Sequence, residues 1–306
     1  MKKPLRIATR KSALALWQAN HVQALLREAH ANIDIELVKI VTEGDRILDR
    51  PLSEIGGKGL FLKELERAML NGDADLAVHS MKDVPANMAE GLVLDVVLPR
   101  ANPYDALVSR NNKLLAELPA GSRIGTSSLR RRAQLLALRP DLIVTDLRGN
   151  VDTRLRKLDE GQYDAIILAC AGLQRLGLGE RITETLQMPD WLPASTQGII
   201  GLQCRLDDEH TRSLIAPLAD QNTMVVASAE RAVARVLEAT CQVPLAVHAV
   251  LDGDQVKLQS MVSSPDGKKS VEAAGEAPAK DAVALGERIA NDLLNNGAGI
   301  IIADLP

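Results

Sequence analysis

The chain has 306 residues, of which 46% are hydrophobic and 25% are charged, a balance typical of a globular protein with two or three compact domains. This composition excludes a disordered chain and a collagen-like repeat. With 36 Lys and Arg against 40 Asp and Glu, the formal net charge is -4, which argues against a chain built as a whole to coat nucleic acid or an anionic membrane. Only 2% of the residues are aromatic, so few side chains could stack on single-stranded nucleic acid.

The N-terminal segment predicts no export, because Arg6, Arg10 and Lys11 interrupt what would be the apolar core of a signal peptide. The longest apolar run, at residues 165–171, is much shorter than the ~20 residues of a membrane span. Three widely spaced cysteines indicate a reducing compartment rather than a disulfide framework. The histidines are scattered and no metal-binding motif occurs, so no metal site is predicted. We therefore expect a cytoplasmic protein without a membrane partner.

The first third of the chain alternates short apolar strands with helical patterns. Ser12 is a suitable N-cap for a helix whose apolar positions recur with the helical period. The predicted strands cover residues 5–9, 35–41, 76–78 and 92–98, and a second helix covers residues 60–70. Such alternation predicts parallel sheets whose faces are covered by helices.

The same alternation returns after a crossover predicted at residues 99–103. Strands are predicted at residue 124, 142–146 and 165–168, and helices at 129–138 and 151–158. Residues 191–201 are predicted to be the return crossover. From about residue 222 a third, smaller α+β domain is predicted, with a helix near 229–237 and strands near 246–251 and 256–261.

Basic residues are concentrated at positions 123–157, which contain nine basic and three acidic residues. This window carries +6, so the rest of the chain carries -10. Eight of the nine are arginine, whose rigid guanidinium suits bidentate capture of carboxylate or phosphate. The run Thr126, Ser127 and Ser128 can cap a helix whose N-terminal amides favour an anion, with Arg130 and Arg131 in its first turns. The residues indicate either an anion site or a solvated helix face.

Asp83 follows the strand at 76–78, at the end of a sheet where α/β proteins bind ligands. A carboxylate there could stabilise a cation or transfer a proton, or it could simply cap a turn before Pro85. His79 is interpreted as a buried histidine at the strand end. The glycines at 56–59 lack phosphate-loop spacing and suggest a flexible flap, with Phe61 either behind it or in the core of the next helix. Cys241 lies in a turn, as an inert thiol or as a nucleophile without a histidine nearby in sequence.

Taken together, seven segments resemble the porphobilinogen deaminase family, also called hydroxymethylbilane synthase, over nearly the full length. They are RIATRKSALALWQA from Arg6, TEGDRILDRPLSEIGGKGLFLKELE from Thr42, ADLAVHSMKDVP from Ala74, GTSSLRRRAQL from Gly125, LRGNVDTRLRKLD from Leu147, YDAIILACAGLQRLG from Tyr163 and CQVPLAVHA from Cys241. The resemblance implies a transferase that joins four porphobilinogen molecules head to tail with loss of ammonia and releases hydroxymethylbilane by hydrolysis. It also implies a dipyrromethane cofactor held by a thioether to Cys241, which primes the chain.

The resemblance assigns site residues throughout the sequence. Asp83 would be the catalytic carboxylate that assists ammonia loss and stabilises the cationic azafulvene. Each pyrrole carries two carboxylates in this family, so the arginines would hold a polycarboxylate chain. The remaining assignments are Ser80, Lys82, Thr126, Ser128, Arg130 and Arg131 for the cofactor, Arg10, Ser12, Arg148, Arg154, Arg175, Gln197 and Gly198 for the substrate, and Lys58 and Phe61 for an active-site loop.

The implied fold is α/β, with two periplasmic-binding-protein-like domains around a central cleft and a small C-terminal α+β domain. Domain 1 would cover 1–98 with 199–216, domain 2 104–192, and domain 3 221–306. The family also implies a monomer. Several positions depart from its usual pattern and bear on cofactor loading and rate: Ser195, Thr196, Gln203, Ala239, Thr240 and Tyr104.

Two other functions are considered. A solute- or effector-binding module of the same two-domain class would hold a carboxylate ligand without turnover, but would give Cys241 no task. Nucleic-acid binding through the arginines is disfavoured by the acidic remainder of the chain and its scarce aromatics.

Overall fold

The computed structural model describes residues 3–42, 62–240 and 242–305. Its strands are β1 (Leu5–Arg10), β2 (Ile35–Ile40), β3 (Leu76–Ser80), β4 (Leu92–Val97), β5 (Asp105–Ser109), β6 (Arg123–Gly125), β7 (Ile143–Thr145), β8 (Ala165–Ala169), β9 (Glu184–Leu186), β10 (Ile200–Arg205), β11 (Leu245–Asp252), β12 (Gln255–Ser263) and β13 (Ser270–Pro278). Its α-helices are α1 (Ala13–Ala29), α2 (Lys63–Leu70), α3 (Leu129–Leu138), α4 (Val151–Asp159), α5 (Cys170–Arg175), α6 (Glu209–Ile215), α7 (Gln221–Val236), α8 (Ala282–Asn295) and α9 (Ala298–Ala303). The chain divides into a first unit, Met1–Ala101 with Ile199–Met224, and a second unit, Asn102–Gly198 with Val225–Pro306.

The first unit is built on a five-stranded sheet in the order β2–β1–β3–β10–β4. Strand β1 pairs in parallel with β2 and β3, whereas β10 is antiparallel to β3 and β4. Side chains alternate between the faces of a strand, so each face needs its own cover. Val22 and Leu26 of α1 are buried on one face, and Leu65 and Met69 of α2 are buried with Ala77 on the other.

The second unit contains a sheet of the same design in the order β7–β6–β8–β5–β9. Strand β6 is parallel to β7 and β8, and β5 is antiparallel to β8 and β9. Every residue of β5 is buried, from Asp105 to Ser109. Ser128 is the N-cap of helix α3 and accepts a hydrogen bond from the Arg131 amide, in agreement with the cap predicted within residues 126–128.

The prediction of wholly parallel sheets is therefore wrong for one strand in each sheet, β10 in the first and β5 in the second, and so for two pairings in each. The Met81 amide donates to the Ile199 carbonyl at 3.0 Å, so β10 starts beside the C-terminal end of β3. The Cys170 amide donates likewise to the Tyr104 carbonyl at 3.0 Å, so β5 starts beside the end of β8. A strand that starts beside its neighbour's end must run antiparallel to it.

The C-terminal part of the second unit is a three-stranded antiparallel meander, β11–β12–β13, packed with helices. Val233 of α7 and Ile289 of α8 are fully buried against Val247 and Val256 of the sheet. The expected α/β class, with two sheet-containing domains and a small C-terminal α+β domain, is confirmed.

Glu230 of α7 connects this C-terminal part to the segment that precedes β10. Its fully buried carboxylate accepts hydrogen bonds from the amides of Thr196 and Ala249. Thr196 has a φ of +56°, a left-handed conformation that β-branched residues rarely adopt. Pro193 of the same segment accepts a hydrogen bond from the Val247 amide at 3.1 Å. The backbone that precedes Gln197 is thus held at two points, Pro193 and Thr196.

Candidate functional site

In the first unit, the turn after β3 presents a carboxylate to solvent. Residues Met81–Asp83 form one turn of 3-10 helix, closed by a 3.1 Å hydrogen bond from the Val84 amide to the Met81 carbonyl. Met81 is buried against Gly201 of the neighbouring strand, where an added Cβ would collide with its sulfur. The Asp83 side chain is exposed. One buried residue therefore anchors the turn that carries Lys82 and Asp83.

A pocket beside this turn collects several of the predicted site residues. Arg10 ends β1, and Ser12 caps α1 by accepting a hydrogen bond from the Ala15 amide at 3.3 Å. Ser80 accepts a 2.8 Å hydrogen bond from Nε2 of Gln18 on α1. The ends of β1 and β3 and the start of α1 meet here, and the residues lining the pocket include Arg10, Ser12, Gln18, His79, Ser80 and Asp83. Lys82 is half-buried on the adjoining turn.

His79 is buried behind this pocket, as the sequence interpretation expected. Its Nε2 lies 2.8 Å from Oε1 of Gln203 on β10, and Nε2 of Gln203 donates to Oε1 of Glu66 on α2 at 3.0 Å. Burial lowers the pKa of His79 to about 4, although the Gln203 hydrogen bond and the charge of Asp83 act in the opposite direction. The imidazole is neutral near pH 7.

In the second unit, Arg130 and Arg131 converge on one buried carboxylate, that of Asp105. Oδ1 accepts from Nη2 of Arg131 at 2.7 Å and from its Nε at 3.1 Å, while Nη1 of Arg130 lies 2.8 Å from Oδ2. Nε1 of Trp191 donates to Oδ2 at 2.8 Å, and Nε2 of Gln197 donates to Oδ1 at 2.9 Å. Asp105 is wholly inaccessible to solvent, and both arginine side chains are at most 8% exposed.

The charges of this cluster are strongly coupled. Burial alone would raise the pKa of Asp105, but the two guanidinium groups outweigh it and hold the carboxyl well below its usual range. Burial lowers the pKa of Arg130, opposed by the charge of Asp105. Two cations and one anion leave an excess positive charge beside the start of α3. That helix terminus itself favours an anion, because its first amides lack intrahelical acceptors.

The polar residues before α3 are tied into the helix start. The Thr126 hydroxyl accepts from the Ser128 amide at 3.2 Å, and the Ser128 hydroxyl accepts from the Arg131 amide at 3.4 Å. Ser127 instead bonds the backbone of Leu147 through both its donor and acceptor functions, each at 3.0 Å. The segment Thr126–Ser128 is thus fixed next to the two arginines.

Three further predicted arginines also lie in the second unit. Nε of Arg154 donates to the Gly149 carbonyl at 2.8 Å, and Nη2 of Arg175 donates to the Gly198 carbonyl at 2.8 Å. Burial lowers the pKa of Arg175 to about 10. Nη1 of Arg148 is buried and has no hydrogen-bond partner among the described residues, which leaves a cationic donor for a ligand.

Not every predicted residue can be located, and some important ones were not predicted. Lys58, Phe61 and Cys241 lie outside the described residues. Sequence reasoning missed Asp105, Trp191 and Glu66. A charged residue opening the apolar segment 106–108 was the available signal for Asp105, because a buried carboxylate needs cationic or hydrogen-bonding partners.

Family models match most of the sequence. Residues 5–213 match "Porphobilinogen deaminase, dipyromethane cofactor binding domain", and residues 224–295 match "Porphobilinogen deaminase, C-terminal domain". The chain belongs to the porphobilinogen deaminase family. It is accordingly a transferase of tetrapyrrole biosynthesis that uses porphobilinogen as substrate and contains a dipyrromethane-binding domain. The alternative of a binding module without turnover is not favoured.

Several solved structures show a distant likeness to this chain. The periplasmic aliphatic sulphonate binding protein SsuA from Escherichia coli has 15% identity and a TM-score of 0.40, with 78% of this chain and 71% of that chain covered. An amino-acid transporter binding protein, ytmK from Bacillus subtilis, has 11% identity and a TM-score of 0.44, covering 73% and 95%. The BenM effector binding domain with benzoate has 14% identity and a TM-score of 0.42, covering 71% and 91%. These values say nothing about what this chain binds.

The donors of the second unit fit a dipyrromethane cofactor, which carries carboxylates. The excess positive charge around Asp105, beside the start of α3, is the feature that such a ligand requires. Within the described ranges, no helix is long and apolar enough to cross a membrane, and no group of three or more His, Cys, Asp or Glu could hold a metal ion.

Proposed function

We propose that this chain is a hydroxymethylbilane synthase. It joins four porphobilinogen molecules head to tail, loses one ammonia at each addition, and releases hydroxymethylbilane by hydrolysis. The observation that carries this assignment is the exposed carboxylate of Asp83 at the end of β3, beside a pocket that also contains Arg10 and Ser12. The residue types match the reaction. Loss of ammonia leaves a cation on the substrate, which a carboxylate can stabilise, and the substrate carboxylates require basic partners.

Asp83 is proposed to act directly on the reacting atoms. When the aminomethyl group loses ammonia, the pyrrole left behind becomes an azafulvene cation. A fixed carboxylate beside that cation lowers the barrier, because its negative charge is in place before the positive charge develops. Burial of Met81 supports this role, since it holds the turn and so limits the positions that Asp83 can take.

The arginines are proposed to hold carboxylates rather than to react. Thr126, Ser128, Arg130 and Arg131, with Ser80 and Lys82, would bind the cofactor. Incoming substrate would be bound by Arg10, Ser12, Arg148, Arg154, Arg175, Gln197 and Gly198. The support is electrostatic: the Asp105 cluster retains a net positive charge, and arginine remains protonated over the whole range in which enzymes work.

Cys241 is proposed to bear the dipyrromethane through a thioether. When bound, this group supplies the pyrrole onto which the first substrate is joined. The other two cysteines are unsuitable because both are buried, which denies them to a ligand, and burial raises the pKa of Cys170 and of Cys204 to about 11 and so disfavours the reactive thiolate. The Thr240 side chain accepts a 3.2 Å hydrogen bond from the Gln242 amide.

The remaining assignments complete the proposal. Lys58 and Phe61 would belong to an active-site loop, and the protein would act as a cytoplasmic monomer that binds no nucleic acid. Domain 1 would comprise 1–98 with 199–216, domain 2 104–192, and domain 3 221–306. The distribution of the three sheets supports this division, since the strands of each sheet fall within one of the three domains.

Intact-mass measurement tests the cofactor assignment. Protein purified from a host that makes porphobilinogen should carry a covalent excess of two pyrrole units, and Cys241→Ser should lose it. Cys170→Ala is the matched control and should retain the excess, because that thiol is buried. A folded wild type without added mass from such a host would contradict the tethered primer.

Replacement of Asp83 tests the catalytic assignment. The free energy of unfolding of Asp83→Ala should lie within about 0.5 kcal/mol of the wild-type value, since surface substitutions rarely change it by more. The variant should nevertheless lose ammonia release from porphobilinogen. Asp73→Ala removes another exposed aspartate of the first unit and should leave ammonia release unchanged. Near-normal turnover in Asp83→Ala would remove Asp83 from catalysis. A wild type that binds porphobilinogen without releasing ammonia would favour the binding module.

A further inference from the structure

A chain of three hydrogen-bonded side chains leads from helix α2 to the pocket of the first unit. Glu66 of α2 bonds Gln203 of β10, and Gln203 bonds His79 of β3, at 3.0 Å and 2.8 Å. Gln203 is completely buried, and His79 is 6% exposed. Gly201 is the register partner of His79, so Gln203 lies diagonally across the same face of the antiparallel pair, within side-chain reach.

Hydrogen-bond chemistry gives this chain a direction. An ionised carboxylate only accepts, so the amide nitrogen of Gln203 must face Glu66. Its carbonyl oxygen then faces His79, and the nitrogen opposite it, Nε2, must carry a proton. The neutral imidazole is therefore the Nε2-protonated tautomer, and Nδ1 is the nitrogen that would take up a second proton.

The groups around His79 also determine its charge. Burial disfavours the imidazolium and lowers the pKa of His79 to about 4, and the hydrogen bond to Gln203 opposes this only as a neutral amide does, without a full negative charge. Asp83 acts in the opposite direction, and Arg10 lines the same pocket with a positive charge. The carboxylate of Glu66 is one residue further away, on the other side of Gln203.

We propose that Gln203 is a positioning residue that fixes His79 as the Nε2-protonated tautomer without placing a negative charge beside it, so that the buried imidazole stays neutral and Asp83 retains its full negative charge for the cation formed on ammonia loss. An imidazolium in the same pocket would pair with Asp83 and weaken that charge. The proposal rests on the proposed catalytic role of Asp83 and deepens it. It also assigns a function to a glutamine that the mechanism does not otherwise use.

Exchanging two side chains provides a direct test. In Glu66→Gln/Gln203→Glu the hydrogen-bonded chain keeps its residue types and net charge, but the carboxylate now faces His79 directly. The pKa of His79 should therefore rise by at least two units, towards or above the ordinary value of about 6.5. NMR titration of labelled histidine measures it, with the His79 signals assigned from the spectrum of His79→Gln. Glu66→Gln alone is the matched control and should leave His79 neutral.

The rate of ammonia release should then acquire a new pH dependence. Wild type should show no loss attributable to His79 down to about pH 6, whereas the exchanged protein should lose about tenfold per pH unit below the raised pKa. Adding His79→Gln to the exchanged protein should abolish this loss of rate at low pH. Lost packing alone would lower the rate equally at every pH.

Two results would overturn the proposal. One is a wild-type His79 that titrates near its ordinary pKa, and the other is an exchanged protein whose His79 pKa rises while its rate profile keeps the wild-type form. Failure of the proposed function is recognised separately. If Asp83→Ala retains turnover, the catalytic assignment fails, whereas the NMR titration still reports whether Gln203 controls the charge of His79.

Discussion

Asp105→Asn should be among the most destabilising single substitutions in the second unit. Asp105 accepts hydrogen bonds on both oxygens, from Arg131 and Gln197 on Oδ1 and from Trp191 on Oδ2, where Arg130 also binds. An asparagine of the same shape has one oxygen and one NH2 group. Whichever way it is turned, the NH2 group faces donors.

The magnitude follows from burial. Removing one partner of a buried ion pair costs about 3–5 kcal/mol, because the other charge is left without compensation. Asp105 serves two guanidinium groups and is inaccessible to solvent, so we expect a loss of about 5 kcal/mol, at the upper end of that range. Domains are stabilised by only about 5–15 kcal/mol in total, so the variant should be close to unfolding.

Urea unfolding followed by tryptophan fluorescence measures this loss where it occurs. Trp191 bonds Asp105 and is 1% exposed, and Trp17→Phe removes the only other tryptophan. Asp141→Asn in the same background is the matched control. Asp141 pairs with Arg139 at 2.6 Å but its side chain is 37% exposed, so its replacement should leave the transition close to wild type. If Asp105→Asn does not fold, Trp191→Phe in the wild-type background removes one neutral donor instead and should cost about 1 kcal/mol, measured by circular dichroism because this variant lacks the fluorescent reporter.

The pH dependence provides a second check. Because the folded pKa of Asp105 is depressed, its contribution is fully present above the unfolded value of about 3.9 and is lost only as the pH falls towards the folded value. The difference between wild type and Asp105→Asn should therefore be constant from about pH 5 to 8 and shrink below about pH 4. A loss no larger than that of Asp141→Asn, or one that disappears at neutral pH, would refute the reasoning.

Two further predictions concern the turn after β3 and the buried thiols. Gly201→Ala should displace Met81 and with it Asp83, lowering ammonia release about tenfold and the free energy of unfolding by about 1–3 kcal/mol. Gly179→Ala, whose Cβ would lie 3.9 Å from its nearest neighbour, is the control, and an active Gly201→Ala would contradict the anchoring role. Cys170 and Cys204 should resist a thiol reagent at pH 8 until the protein unfolds, since burial raises the pKa of each to about 11; peptide mass mapping measures this, and rapid native labelling would contradict it.

Local chemistry predicted much of the framework. Serine followed by an amphipathic stretch identified the starts of α1 and α3, because an N-cap hydroxyl satisfies an amide that the helix itself cannot. Strand β5 was not predicted, since a five-residue segment that begins with Asp105 and ends with Ser109 gives no clear alternation. Its antiparallel direction depends on where the crossover re-enters the sheet, which no local window contains.

The candidate site was predictable to a similar depth. The arginine-rich window correctly placed Arg130 and Arg131 in the first turns of a helix, but their nearest anion is a residue of the protein itself. Asp105 is separated from Arg131 by 26 positions and from Trp191 by 86, so their meeting depends on tertiary packing. Charge arithmetic along the sequence counts such arginines as available for ligands, although part of their charge is already neutralised.

The buried carboxylate of Glu230 has a consequence for shortened forms of the protein. It accepts a hydrogen bond from the amide of Thr196, the residue that precedes Gln197. A chain that ends before Val225 would lack Glu230, and the Thr196 amide would lose its acceptor at a cost of about 1–3 kcal/mol. The C-terminal part is therefore more than a carrier of the cysteine proposed to hold the cofactor. Proteolytic removal of it should loosen Gln197 from Asp105, even though the cut leaves both of those residues in the chain.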